Sequence, residues 1–293
     1  MKCGFVGIGV MKGASTWVFN VLSDHPQILV SMPKELDYFS KDENYNKGED
    51  WYHSKFEVAS SNDQIGGEIS PSYFHSEESI KRIKEYNSDI KIIVTLRDPV
   101  QRAFSNHLHL IRRGHVKTEF LEFENALDIF PQYLEQSMYF KHLNKWFSNF
   151  PKENILVLIQ EEIEQNPQLL ANNLYDFLNV RSDFLSDNLY QRANSSAVIR
   201  SKVLDKIMKK SVNLLLELGL IRIAKKAREN TFLLWLRQSK SAHLKDKVPP
   251  LNASTKLKLM KLFESDLIAL SGLLDKDSFP WESWSYIINR KVK

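Results

Sequence analysis

The sequence lacks several features that mark specialised classes of protein. It contains a single cysteine, Cys3, so no disulfide can form within the chain, and such sparing use is typical of a reducing compartment. No apolar run approaches the roughly 18 residues that cross a membrane. There is no internal repeat and no low-complexity linker. Hydrophobic residues make up 43% and charged residues 26%, which excludes disordered, collagen-like and coiled-coil proteins.

The length and the N-terminus favour one intracellular domain. The 293 residues can bury a substantial core, and we predict a single domain over residues 1–293 with Pro249-Pro250 as an internal loop. The first 15 residues are too short and too rich in glycine for a signal-peptide core, and no small-residue cleavage site follows them. We therefore expect a cytoplasmic protein.

Basic residues concentrate in one segment, although the net charge is only +4. Residues 191–250 carry 14 Lys/Arg against 4 Asp/Glu, while acidic residues outnumber basic ones elsewhere. Apolar residues recur at helical spacing through this segment, which predicts a basic helical insertion. It is interpreted either as packing with a solvated basic face, as a lid over a substrate cleft, or as a surface for an anionic partner.

Predicted strands alternate with predicted helices along the chain. Apolar β-rich runs predict strands at residues 5–10, 65–69, 90–96 and 155–159. Helical spacing predicts helices at residues 14–23, at 76–86, after Asp98-Pro99, and through Leu169, Leu174 and Phe177. Near-continuous apolar strands are typical of parallel sheets buried on both faces. The pattern therefore predicts an α/β fold with a parallel sheet flanked by helices.

A glycine-containing turn with a lysine joins the first strand to the first helix. Backbone N–H groups at a helix start lack intrahelical partners and point, with the helix dipole, at an anion site. Lys12 adds a charge, Gly13 and Ala14 form the turn, and Ser15 and Thr16 add hydroxyl donors. The order of residues matches neither a Walker A loop nor a dinucleotide fingerprint. Alone, the loop is equally compatible with a tight turn carrying an incidental surface lysine.

A second anion motif follows the strand predicted at residues 90–96. Arg97 stands at the carboxyl end of that strand, where open α/β sheets bind ligands, and its guanidinium suits phosphate. Ser105 lies about two turns into the next helix and can face the same anion. The alternative is that Arg97 pairs with Asp98 or caps a helix.

Together the two motifs resemble the sulfotransferase family, whose sulfuryl donor is 3′-phosphoadenosine 5′-phosphosulfate. Residues 10–16 (VMKGAST) are similar to its 5′-phosphosulfate loop, and residues 97–105 (RDPVQRAFS) to its 3′-phosphate motif. Residues 34–39 (KELDYF) and 67–74 (GEISPSYF) are similar to the carbohydrate, heparan-sulfate-type branch. The resemblance implies a P-loop-like parallel sheet and a soluble, bacterial-type member.

The resemblance also implies roles for individual residues. Glu35 is expected to be the general base, Lys12 to stabilise the leaving phosphate, and Lys34 to assist near the acceptor. The donor-binding residues implied are Lys12, Gly13, Ala14, Ser15, Thr16, Arg97 and Ser105. In-line sulfuryl transfer needs positioning and charge stabilisation but does not by necessity need a metal.

The acceptor side departs from the branch at one position. Ile69 stands where the branch usually has lysine after Gly-Glu, which weakens the case for a heparan-like acceptor. Glu68 is expected to be structural and to bond the backbone of a loop. Trp51, Tyr73 and His107 are the residues predicted to contact the acceptor. Polar packing is the alternative role for His107.

Several functions remain open from the sequence. The first is sulfuryl transfer to a carbohydrate, and the second is the same transfer to a lipid or a small-metabolite hydroxyl. A P-loop kinase is a third, although no metal-holding aspartate follows an apolar strand. A non-catalytic protein that binds anions through its basic face is the fourth. Nucleic acid is not a predicted partner of the sulfotransferase.

Overall fold

The computed structural model describes residues 2–191 and 248–291, together with positions 198–199, 211, 214 and 238–239. Within these short pieces, Val198–Ile199 pairs antiparallel with Gln238–Ser239. Most of the predicted basic insertion, residues 191–250, therefore lies outside the described residues. Its roles as a lid or as an anionic contact stay predictions.

A five-stranded sheet forms the centre of the described part, and every neighbouring pair in it is parallel. The strands are β1 Cys3–Gly9, β2 Ile28–Val30, β3 Ile65–Ile69, β4 Lys91–Leu96 and β5 Ile155–Ile159. Four of them confirm the predicted strands, with ends shifted by at most two residues. Strand β2 was not predicted, because three residues are too few to show a period.

Helices connect the strands and cover the sheet. They are α1 Ser15–Asp24, α2 Asp42–Tyr45, α3 Gly48–His53, α4 Glu77–Tyr86, α5 Pro99–Arg112, α6 Phe123–Ala126, α7 Gln132–Glu135, α8 Tyr139–Phe147, α9 Gln160–Gln165, α10 Pro167–Phe177, α11 Ala253–Leu274 and α12 Glu282–Lys291. Single 3₁₀ turns span Pro71–Tyr73, Thr118–Phe120 and Lys152–Asn154. Helices α2 and α3 carry acidic residues in their first turns, which interact favourably with the helix dipole.

Both faces of the sheet are buried, as the apolar strands predict. Alternate residues of β4 enter different hydrophobic clusters, with Ile93 on one face and Ile92 and Val94 on the other. The first face is covered by α1 and α10, through residues such as Trp17 and Leu174. The period of two along a strand therefore fills two layers at once. This architecture confirms the predicted α/β fold.

The strand order β2-β3-β1-β4-β5 creates a switch point at β1. The chain first leaves β1 toward β2 and β3 on one side, and then crosses to β4 and β5 on the other. In open α/β sheets, ligands bind beyond the carboxyl ends of the strands at such a point. The loops that follow β1, β2 and β4 carry the two predicted anion motifs and Glu35. Among the described residues, no helix is long and apolar enough to span a membrane.

Candidate active site

The loop that follows β1, residues 10–14, is held against β4 by backbone contacts; we call it the donor loop. Val10 donates its N–H to the Thr95 carbonyl oxygen at 2.9 Å, and Gly13 donates to the Val10 carbonyl oxygen at 3.0 Å. A Cβ on Gly13 would lie 2.6 Å from the Thr95 oxygen and 2.7 Å from Val10 Cγ2. Only glycine therefore fits where the loop passes β4.

The donor loop leads into a helix whose first turn is open to an anion. Lys12 and Ala14 have φ of 71° and 74°, and Ala14 is the residue that precedes α1. No side chain among the described residues caps the N-terminus of α1, which begins at Ser15, and its first turn carries no acidic residue. Backbone N–H groups at this end are therefore available to a phosphate or sulfate group.

Arg97 extends from the carboxyl end of β4 and is not paired with its neighbour Asp98. The Asp98 carboxylate is buried and accepts the N–H groups of Val100 and Gln101 at 2.9 and 3.1 Å, which caps α5. It also accepts the N–H and hydroxyl of Ser283 at 2.9 and 3.1 Å. The alternative that Arg97 is tied up by Asp98 is therefore wrong. Asp98 fixes α5, and Arg97 stays half-buried at the sheet edge.

One face of α5 turns toward the donor loop. Ser105, His109 and Arg112 follow one another at intervals of four and three residues, so they share a helix face, and all three are half-buried. The opposite side, which includes His107 and Ile111, packs into the core. Ser105 lies on this face about two turns into α5, and its contact with a donor stays a prediction.

Four positive groups from three parts of the fold converge on Lys12. Burial, followed by the nearby positive charges of Arg112, Arg97, Lys34 and Arg113, lowers the pKa of the Lys12 ammonium to about 8. Like charges gathered around a half-buried amine disfavour its protonated form. Such an arrangement is stabilised when an anion binds between the charges.

Glu35 lies in the loop that follows β2, residues 31–41, which we call the base loop. Its carboxylate accepts a hydrogen bond from the Lys34 ammonium at 2.8 Å, and its side chain is 47% exposed. Glu35 and Asp37 have φ of 64° and 51°. Six non-glycine residues of the described ranges have positive φ, and four of them lie in the donor and base loops. Strain of this kind gathers at functional sites.

His109 connects the two loops electrostatically. Burial, followed by the positive charges of Lys12, Arg113 and Arg112, lowers the pKa of His109 to about 4, while Glu35 opposes this shift. The imidazole is therefore close enough to sense both Lys12 and Glu35, and it is neutral at neutral pH. Arg112 and Arg113 were not predicted from the sequence. The sequence signal for these two residues was their helical spacing from Ser105, which extends by two turns the face of α5 that turns toward the donor loop.

Comparisons with known proteins agree with this geometry. Residues 5–214 match the sulfotransferase domain family, which is more than half of the chain. The chain belongs to the sulfotransferase family. The match spans the donor loop, the base loop and the Arg97 motif, so it contains every residue of the convergent site.

Two human relatives show how far the sequence similarity reaches. The chain is 33% identical over 195 residues to human heparan sulfate glucosamine 3-O-sulfotransferase 5, covering 64% of this chain and 56% of the relative. It is 31% identical over 195 residues to human bifunctional heparan sulfate N-deacetylase/N-sulfotransferase 3, covering 60% and 22%. The chain thus spans about half the length of the first of these relatives, and less of the second.

The fold extends beyond the sequence match. A sulfotransferase from Alicyclobacillus acidocaldarius aligns with a TM-score of 0.65 at 20% identity, covering 95% of this chain and 98% of that one. At this identity the alignment shows a shared fold. It agrees with the parallel sheet and flanking helices described above.

Of the three residues predicted to contact the acceptor, Tyr73 and His107 are buried and Trp51 is half-buried. Tyr73 and His107 have no exposed surface. The Tyr73 hydroxyl donates to Glu68, and the His107 ring bonds the Leu121 carbonyl oxygen at 2.9 Å and the Tyr133 hydroxyl at 3.3 Å. This burial corrects the prediction that these two side chains contact an acceptor. They pack inside the sulfotransferase fold.

Trp51 remains half-buried on α3. The ammonium groups of Lys47 and Lys55 lie 4.4 and 4.9 Å from its ring centroid, and Tyr38 stacks against it at 6.1 Å. Cations over an aromatic face are attracted by its quadrupole. Trp51 therefore joins an aromatic and basic surface beside the base loop, and its contact with an acceptor stays a prediction.

Ile69 and Glu68 lie at the end of β3 and are both buried, Ile69 among apolar side chains and Glu68 among hydroxyl groups. Ile69 is 1% exposed and packs against Gly7 and the apolar cluster beneath α1, so the position that departs from the branch is part of the core. Burial raises the pKa of Glu68 to about 7, although hydrogen bonds from Tyr73, Ser70 and Tyr52 favour its charged form. Ile69 supplies no charge where the branch has lysine. The positive charge beside the Glu35 carboxylate comes from Lys34 in the base loop.

Proposed function

We propose that this protein transfers a sulfuryl group from 3′-phosphoadenosine 5′-phosphosulfate to a hydroxyl or amine of a carbohydrate. The observation that carries the proposal is the convergence of Lys12, Arg97 and Glu35 beyond the carboxyl ends of three strands of the sheet. Family membership supports sulfuryl transfer. The similarity to heparan sulfate sulfotransferases supports a carbohydrate acceptor.

The donor-loop geometry fits a phosphorylated donor. The uncapped N-terminus of α1 and the close passage of Gly13 over β4 leave backbone N–H groups for the 5′-phosphosulfate. Arg97 and Ser105 stand at the next strand end and would hold the 3′-phosphate. The residues proposed to bind the donor are Lys12, Gly13, Ala14, Ser15, Thr16, Arg97 and Ser105.

The proposed chemistry divides between two charged groups. When bound, the donor supplies an electrophilic sulfuryl group and a phosphate leaving group. Lys12 stabilises the negative charge that grows on the leaving phosphate. Glu35 accepts the proton of the attacking hydroxyl or amine. Lys34 keeps the Glu35 carboxylate oriented through their ion pair at 2.8 Å.

The extra cations on α5 support an acceptor that carries negative charge. Arg112 and Arg113 lie near Lys12 and His109. They are additional to Lys12 and Arg97, the two cations assigned to the donor phosphates. A carbohydrate with carboxylate or sulfate groups would find complementary charge there. This is why we propose an acidic polysaccharide before a neutral lipid hydroxyl.

Donor binding tests the proposal against a kinase function. Isothermal titration with adenosine 3′,5′-bisphosphate should show tight binding in the presence of a chelator, without Mg²⁺. Arg97→Ala should weaken it about ten- to a hundredfold, because a hydrogen bond to a charged group contributes about 1.5–3 kcal/mol. Arg181→Ala is the matched control, since Arg181 forms an exposed ion pair with Asp183. Binding that requires Mg²⁺ and ATP instead would contradict the proposal.

A further inference from the structure

Glu68 is a buried carboxylate that receives three hydroxyl donors. It has no exposed surface and lies at the end of β3. Oε1 accepts the hydroxyls of Tyr73 at 2.6 Å and Tyr52 at 3.0 Å, and Oε2 accepts the Ser70 hydroxyl at 2.9 Å. These three donors replace part of the hydration that the buried carboxylate loses, and they oppose the burial that raises its pKa to about 7.

Two of these three hydroxyls also hold the base loop. The Ser70 hydroxyl accepts the N–H of Asp37 at 3.1 Å, and the Tyr73 hydroxyl accepts the N–H of Phe39 at 3.2 Å. Glu68 is therefore linked, through one hydroxyl in each case, to the Asp37 and Phe39 amides of the base loop that carries Glu35. The Tyr52 hydroxyl comes from α3 and donates to Glu68 from outside the base loop.

These hydrogen bonds take their observed direction when the Glu68 carboxyl is ionised, and burial raises its pKa to about 7, so the ionised and protonated forms are comparably populated near neutral pH. A hydroxyl has one proton to donate, and here Ser70 and Tyr73 each donate it to Glu68 while accepting an amide N–H. A carboxylate accepts all of these protons. A group with its own N–H or O–H would compete with the hydroxyls for acceptors, and at least one link to the loop would lose its alignment.

The base loop needs such support because its backbone is strained on both sides of Leu36. Glu35 and Asp37 occupy the left-handed region at φ of 64° and 51°, which is unfavourable for a non-glycine residue unless the surroundings compensate. The amide of Asp37 is itself one of the two that the network binds. Fixing residues 37 and 39 therefore limits where the Glu35 carboxylate can point.

We propose that Glu68 is a positioning residue for the general base, acting on Glu35 through Ser70 and Tyr73. It touches neither donor nor acceptor, and it sets the base loop at the carboxyl end of β2 in the orientation that proton acceptance requires. This proposal rests on the proposed function in one respect, namely the assignment of Glu35 as the base.

Three single variants separate positioning from packing. Tyr73→Phe and Tyr52→Phe each remove one buried hydroxyl that donates to Glu68, but only Tyr73→Phe also removes a link to the base loop. Glu68→Gln keeps the size and replaces an acceptor by a donor. Hydrogen–deuterium exchange should accelerate at least tenfold at the Phe39 amide in Tyr73→Phe and at both the Asp37 and Phe39 amides in Glu68→Gln, and should stay near the wild-type rate at both amides in Tyr52→Phe.

Catalysis provides the second readout, measured on whichever acceptor the wild-type protein sulfates. Tyr73→Phe should lower kcat about tenfold or more relative to Tyr52→Phe, while the Kd for adenosine 3′,5′-bisphosphate and the melting temperature of the two variants stay similar. Equal exchange rates in the two variants would overturn the proposal, and so would faster exchange with unchanged kcat. If wild-type protein sulfates no acceptor, the proposed function fails, and the exchange rates still decide whether Glu68 holds the loop.

Discussion

The donor loop and the base loop lie at the same edge of the sheet but are held in place by different means. The donor loop is fixed by backbone hydrogen bonds to β4 and by the close approach of Gly13. The base loop is fixed by side-chain hydroxyls that converge on Glu68, which belongs to a different strand, β3. Under the proposed function, anion binding would therefore depend on local backbone geometry, whereas proton acceptance would depend on a buried network centred on another strand.

The largest expected effect is on the base loop. Glu35→Gln should lower kcat about 10²- to 10⁴-fold, because it removes the group that accepts the acceptor's proton. The Kd for adenosine 3′,5′-bisphosphate should change less than about twofold, since donor binding belongs to the other loop. Steady-state kinetics and titration measure the two quantities.

Glu153→Gln is the matched control for Glu35→Gln, because Glu153 is exposed at the opposite, amino-terminal edge of the sheet. Full activity of Glu35→Gln would overturn the assignment of the base. His109 would then be the candidate, because His107 is buried and bonded inside the core.

The next effect lies in the donor loop. Lys12→Ala should lower kcat/KM about 10²- to 10³-fold, because charge on the leaving phosphate loses its stabilising ammonium. Unlike Glu35→Gln, it should also weaken the binding of adenosine 3′,5′-bisphosphate. Lys152→Ala, which removes an exposed lysine paired with Asp275, serves as the control. Unchanged donor affinity and unchanged rate in Lys12→Ala would place the donor elsewhere.

The backbone support of the donor loop can be tested at its glycine. Gly13→Ala should weaken binding of adenosine 3′,5′-bisphosphate about tenfold and lower the melting temperature, because the new Cβ meets the Thr95 oxygen at 2.6 Å. Gly272→Ala is the control, since Gly272 lies in α11 and a Cβ added there would meet nothing within 4 Å. It should stabilise the fold by about 0.5–1 kcal/mol. Equal melting temperatures for the two variants would contradict the proposed steric limit.

The smallest expected effect is a pH dependence of donor binding. The pKa of Lys12 in the free protein is about 8, and an anionic ligand binds the protonated ammonium. Above that pH the free protein loses the proton, so binding must recover it, and the affinity should fall by up to about tenfold per pH unit. Titration of adenosine 3′,5′-bisphosphate between about pH 7 and pH 9 measures this slope. The slope should flatten in Lys12→Ala; a slope that persists there would assign the titration to another group.

The contrast between the loops also explains what the sequence could predict. The donor loop was predicted because a strand, a Lys-Gly turn and a helix follow one another directly, and Arg97 comes immediately after a clearly apolar strand. The parallel sheet followed from the same apolar runs. These features are local, so hydrophobic period and turn chemistry reveal them.

The rest depends on contacts between distant segments. Tyr73 and His107 were predicted at the acceptor because polar aromatic side chains suit a cleft, yet tertiary packing buries both. The role of Arg112 required knowledge of which face of α5 meets Lys12. The bonds of Glu68 to Ser70 and Tyr73, and through them to the base loop, follow from the pairing of β3 with β2 and β1, which no sequence period specifies.

The most direct test of the account is transfer of a radiolabelled sulfuryl group from 3′-phosphoadenosine 5′-phosphosulfate to a panel of acceptors. The panel contains desulfated and N-sulfated heparan chains, a neutral oligosaccharide, a lipid alcohol and a small phenol. The account predicts labelling of a carbohydrate by the wild-type protein, strongest for the acidic chains, and loss of that labelling in Glu35→Gln. Labelling of the lipid or phenol alone would contradict the proposed acceptor, and equal labelling by Glu35→Gln would contradict the proposed mechanism.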